Sequence, residues 1–121
     1  MGRITHFKKM NFVTPLISIN DSDFQNKLTE STEPVVVIFE KNFWGLAHVM
    51  KSILERLAVK YKGKVRFYKY NLDEYSEISN YYQVEDSTTV LFFSNGKLIS
   101  RTGIKSIEEV EEILIGLTNK S

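Results

Sequence analysis

Pro34-Val35-Val36-Val37-Ile38-Phe39 is a continuous apolar run rich in β-branched residues, and Glu40-Lys41-Asn42-Phe43-Trp44-Gly45-Leu46-Ala47-His48-Val49-Met50 follows it without a break. Such a run marks a central strand buried on both faces. Beyond it Met50, Ile53, Leu54, Leu57, Ala58 and Tyr61 recur at helical spacing, with Lys51, Glu55 and Lys60 among the other positions. Gly63 is placed to cap that helix in a left-handed conformation. The stretch therefore reads as a buried strand feeding directly into the strongest helix of the chain.

Toward the N-terminus, residues 12–19 are β-prone, and Pro15 removes one backbone donor, which puts this strand at a sheet edge. Asn20-Asp21-Ser22-Asp23 is a helix-start cluster with the apolar pair Phe24 and Leu28 behind it. Toward the C-terminus, residues 65–71 alternate Val65 and Phe67 against Arg66 and Tyr68 and read as a strand. A short helix over residues 76–82 puts Ile78 and Tyr82 on one side. Thr89-Val90-Leu91-Phe92-Phe93 is a further strand, and Ser94-Asn95-Gly96-Lys97 carries the Asn-Gly hairpin signal into a partner strand at residues 98–101. Ser106 and Glu109 form a capping box for a last helix, whose buried stripe is Ile107, Val110, Ile113, Leu114 and Leu117.

The order β-α-β-α-β-α-β-β-α predicts an α/β fold with a mixed, mostly parallel central sheet and helices on both faces. Strands separated by helices are expected to be parallel, with right-handed crossovers, and the final pair to be an antiparallel hairpin. Residues 1–11 read as an exposed tail and residues 12–121 as one domain.

Composition narrows the function. Sixteen basic against fifteen acidic residues, a net charge of +1, give no electrostatic case for nucleic acid or a membrane surface. There is no cysteine, so disulfides and cysteine-ligated metal centres are excluded. No apolar run reaches the ~20 residues of a membrane span, and residues 1–10 fail as a secretory signal, which leaves a cytoplasmic location as the expectation. No phosphate-binding glycine loop or nucleophile elbow is present, no His/Asp/Glu cluster has metal-ligand spacing, and no cofactor is expected.

From about Phe12 to Leu117 the chain resembles the thioredoxin family. The run 34–39 matches its central strand. Phe43-Trp44-Gly45-Leu46-Ala47 matches its Trp-Cys-Gly-Pro-Cys stretch, with only the middle glycine kept. Phe67-Tyr68-Lys69-Tyr70-Asn71-Leu72-Asp73 resembles its third strand, Phe92-Phe93-Ser94-Asn95-Gly96-Lys97 its hairpin, and Gly103 the glycine after it. The resemblance implies a thioredoxin fold. It also locates the departures: Trp44 and Ala47 stand for the two redox cysteines, Ile38 for the buried aspartate, and Thr88 for the cis-proline. A thiolate is the nucleophile of disulfide exchange, so that reaction is not expected. A non-proline cis bond costs about 2.5–4 kcal/mol, so the Ser87–Thr88 bond is expected to be trans.

Phe43, Trp44, Gly45, Leu46, Ala47, Ser87 and Thr88 are the candidate protein-binding residues, at the groove the resemblance implies. Two readings of Trp44 stay open: an anchor for a partner peptide, or an inward plug of the vacated site. Lys69 loses its acidic partner to Ile38 and either pairs with Glu40 or reaches water. His48 has Ser52 four residues on, without the orienting acid that hydrolysis needs. Tyr75 and Tyr81 are further aromatic candidates, and Glu40, Asp73, Glu85 and Asp86 are candidates for negative charge around the groove. The leading expectation is a redox-inactive protein that binds a protein or peptide partner, as an adaptor, a chaperone-like protein or a complex subunit. The alternatives are thiol-independent chemistry at Lys69 or His48, and a structural homo-oligomer.

Overall fold

The computed structural model describes residues 16–41, 45–84 and 88–119, with Leu46 described by its backbone alone. The tail expected at residues 1–11, and residues 12–15 of the first strand, lie outside them. The elements are β1 (Ile17–Ser18), α1 (Phe24–Glu30), β2 (Val35–Glu40), α2 (Gly45–Lys60), β3 (Arg66–Asn71), α3 (Glu77–Tyr81), β4 (Thr89–Ser94), β5 (Lys97–Thr102) and α4 (Ile107–Thr118). They form a five-stranded sheet in the order β1-β3-β2-β4-β5, with β1 at an edge as Pro15 predicts.

β1 and β2 both run parallel to β3, with Val35 opposite Arg66 and Glu40 opposite Asn71. β4 runs antiparallel to β2 and to β5. The sequence expectation that every helical connection gives a parallel strand fails at α3. At about 1.5 Å per residue, the sixteen residues of α2 span the sheet, but the five of α3 do not. The chain therefore re-enters from the end it left, and β4 points the other way.

Helices cover both faces. On one, Val36, Ile38, Phe67, Val90 and Phe92 pack with Met50, Leu54 and Leu57 of α2 and with Val110, Leu114 and Leu117 of α4. On the other, Val35, Val37, Phe39, Tyr68, Tyr70, Leu91 and Phe93 pack with Phe24 and Leu28 of α1. This second layer is aromatic: Phe24 lies 6.2 Å from both Phe39 and Tyr70, 5.9 Å from Phe93 and 5.8 Å from Tyr82. The alternation in β3 sends Phe67 to one buried face and Tyr68 and Tyr70 to the other, because helices lie on each side.

Local signals set the ends of the elements. Asn95 and Gly96 both take positive φ (55° and 79°), the conformation an Asn-Gly hairpin turn requires. Ser106 accepts from the Glu109 N–H while the Glu109 carboxylate accepts from the Ser106 N–H, completing the predicted capping box. Gly63, at φ 83°, ends α2. The cluster 20–23 departs from its reading. Asp23 makes no side-chain cap on α1; it and Asn20 instead bond reciprocally, each side chain accepting from the other's N–H at 2.9 Å. Asp21 reaches across to α3.

Candidate functional site

β2 delivers the chain to the N-terminal end of α2, and β4 begins beside β2, with Thr89 opposite Phe39 and Val90 opposite Ile38. The candidate site lies at this junction. Phe43, Trp44 and Ser87 fall outside the described residues, as do Glu85, Asp86 and the Ser87–Thr88 bond. Gly45 is exposed at the start of α2. Ala47 is 1% exposed and Thr88 6%, so both side chains belong to the floor of the junction rather than its surface. The backbone at Gly103 passes beside Thr88: a Cβ there would lie 3.9 Å from the Thr88 carbonyl oxygen.

Under that floor the chemistry is hydrocarbon. Ile38 is fully buried among Val36, Met50, Leu54 and Val90. A group there can neither take nor give a proton. His48 and Ser52 are both exposed, and no hydrogen bond joins them among the described residues. Glu40 pairs with Lys51 at 3.7 Å, not with Lys69. Lys69, partly buried on β3, has no ion pair among the described residues.

The polar network that sequence reasoning missed is on the opposite face. Asp21 Oδ1 accepts from the Tyr70 hydroxyl at 2.5 Å and from the Ile78 N–H at 3.1 Å, and Oδ2 accepts from the Glu77 N–H at 3.2 Å. Burial pushes the Asp21 carboxyl up, but the Tyr70 hydroxyl and the amides of Ile78, Glu77 and Ser76 together hold it below the usual aspartate range. Burial, and next the adjacent carboxylate, push the Tyr70 hydroxyl far above the ordinary phenol range. Asp21 thus caps α3 from the turn between β1 and α1. Its place in an Asn/Asp/Ser cluster signals capping, but one sequence cannot say which helix.

Of the aromatic candidates, Tyr75 packs at a tilt against Tyr70 with ring centres 5.5 Å apart, whereas Tyr81 is 76% exposed, edge-on to Tyr82 at 4.8 Å. Gln83 has a φ of 57°, a left-handed position no sequence signal announced. The described residues contain no group of three or more His, Asp or Glu side chains placed to hold a metal. None of their helices is long and apolar enough to cross a membrane.

Comparison with known proteins agrees with this architecture. The Thioredoxin family profile matches residues 15–115. The chain is 34% identical over 90 residues to the chloroplastic M-type thioredoxin of Spinacia oleracea, covering 74% of this chain and 50% of that protein. It is 32% identical over 93 residues to the mitochondrial thioredoxin of Mus musculus (76% and 56% covered). It is 31% identical over 80 residues to the thioredoxin of Rickettsia felis (66% and 76% covered). The aligned part spans about half the length of the spinach and mouse relatives. With its strand order, helices on both faces and profile match over nearly its whole length, the chain belongs to the thioredoxin family.

Proposed function

We propose that this protein is a redox-inactive member of its family that acts by holding a protein or peptide partner at the β2–α2 junction. One observation carries the reading: the family's framework is retained in a chain with no cysteine. Without a thiolate, no mixed disulfide with a substrate can form. The fully buried Ile38 removes acid–base assistance from the same place. What the junction keeps is surface. Phe43 and Trp44 stand in sequence between β2 and α2, and tryptophan is enriched among residues that dominate binding energy.

Calorimetric titration of an extended, cysteine-free polypeptide tests the reading, comparing the wild type with Trp44→Ala. Loss of a central tryptophan costs about 2 kcal/mol or more, which weakens binding roughly thirtyfold. Insulin reduction driven by dithiothreitol stays at background in both proteins. Equal affinity of the two proteins rejects the junction as the binding surface.

A further inference from the structure

The C-terminal ends of β1, β2 and β3, with the second turn of α2, enclose a cavity of about 160 Å³ whose walls include Ser18, Glu40, Lys51, Lys69, Asn71 and Glu74. In open α/β sheets the space outside the carboxyl ends of parallel strands is where ligands settle. The wall chemistry is specific. Lys51 and Glu40 face each other at 3.7 Å, with side chains only 23% and 13% exposed. Lys69, opposite Ser18 and Ile38 in the strand register, has no ionic partner among the described residues. Asn71 spends its Oδ1 on the Asp73 N–H at 2.8 Å, which leaves its amide group as a donor. Glu74 is exposed, and water and salt screen it.

We propose that this cavity binds a carboxylate, with Lys69 as its principal ligand and Lys51 and Asn71 completing the set. Lys51 is paired with Glu40, and the second wall carboxylate, Glu74, is exposed, so Lys69 is the partly buried cation left for a monoanion to neutralise. A dianion would place its second charge against Glu40. Lysine and amide donors on neighbouring elements suit the two oxygens of a carboxylate, and charge-assisted bonds of this kind are the strong ones. The carboxylate comes from a free small acid or from an acidic side chain of a polypeptide. The inference does not depend on what binds at the β2–α2 junction.

Amide-resolved NMR titration of the full chain tests it, with sodium acetate as the monoanion, sodium sulfate as the dianion and sodium chloride at matched ionic strength as the blank. Acetate should give saturable shifts at the Glu40, Lys69 and Asn71 amides with millimolar affinity, and sulfate should bind more weakly. Lys69→Met should weaken acetate binding by roughly tenfold or more. Glu40→Gln, which removes the competing charge, should strengthen binding and move the preference toward sulfate; this gain of affinity cannot be mimicked by unfolding. A short glutamate-containing peptide, run against its glutamine counterpart, separates the sources: tighter binding than acetate assigns the site to polypeptide side chains, weaker binding to free acids. Shifts no different from the chloride blank, or acetate affinity unchanged in Lys69→Met, overturn the proposal.

Discussion

The two faces of β2 treat polarity in opposite ways. On the α2–α4 face, Val36 and Ile38 belong to a cluster of apolar side chains, and Ala47 and Thr88 are buried beside the candidate site. On the α1–α3 face, Phe39 lies 4.7 Å from Tyr70, whose hydroxyl joins the Asp21 carboxylate that also caps α3. A buried polar group persists where every donor and acceptor is matched, because an unmatched one costs about 1–3 kcal/mol. The second face meets that condition with a structural network. The first is ordinary core at the position where the family resemblance implies an aspartate. The difference teaches that the first face keeps no acid under the junction, although polar groups border it: the buried Thr88 side chain, the Thr102 hydroxyl, and Lys69 opposite Ile38.

Restoring a carboxylate to the first face is the most severe way to break this contrast. Ile38→Asp should destabilise the protein by about 2 kcal/mol or more, since it removes a packed side chain and takes a carboxyl group out of water, a cost that the Lys69 ammonium opposite it in register offsets only in part. Burial raises the folded-state pKa of that new group, so the variant keeps most stability in acid and loses it as pH rises above ~4. Urea unfolding across pH reads both effects.

Removing the carboxylate of the second face should act more mildly and with the opposite pH sign. Asp21→Ala strands the buried Tyr70 hydroxyl and two α3 amides and should cost about 2 kcal/mol near neutral pH. The Asp21 pKa is lowered in the folded state. Its contribution is therefore present above the unfolded-state value and fades as pH falls through the folded one, so wild type and variant should converge in acid. The same titration checks this.

The smallest effect sharpens the comparison at its margin. Gln83 holds a left-handed backbone just after α3 and is exposed. Gln83→Gly should raise stability by about 0.5–1 kcal/mol, the relief of left-handed strain less the added entropy of the unfolded chain. Thermal unfolding measures it.

How much could be read from the residues follows from the range of each interaction. Element order, the Asn95-Gly96 turn, the Ser106–Glu109 cap and the α4 stripe are local, so periodicity and spacing reveal them. The antiparallel entry of β4 depends on how far a five-residue helix can carry the chain, which periodicity does not report. Asp21 serves Tyr70 and Ile78, respectively 49 and 57 positions away, and no short-range pattern encodes that choice. At the candidate site the sequence names the residues by resemblance, but burial decides their roles: Ala47 and Thr88 are floor and Gly45 is surface. Lys69 was visible as a lysine without its acid. Only the fold shows it sharing a cavity with Lys51 and Asn71.

Trp44 is the only tryptophan in the chain, so its fluorescence reports the proposed binding surface without a label. The most direct measurement is a titration of Trp44 emission with an extended, cysteine-free polypeptide, in dithiothreitol and in its absence. The account predicts a saturable change with the same midpoint under both conditions, because the partner is held by contact and not through sulfur. An emission spectrum that polypeptide leaves untouched, or a midpoint that moves with the thiol reagent, contradicts it.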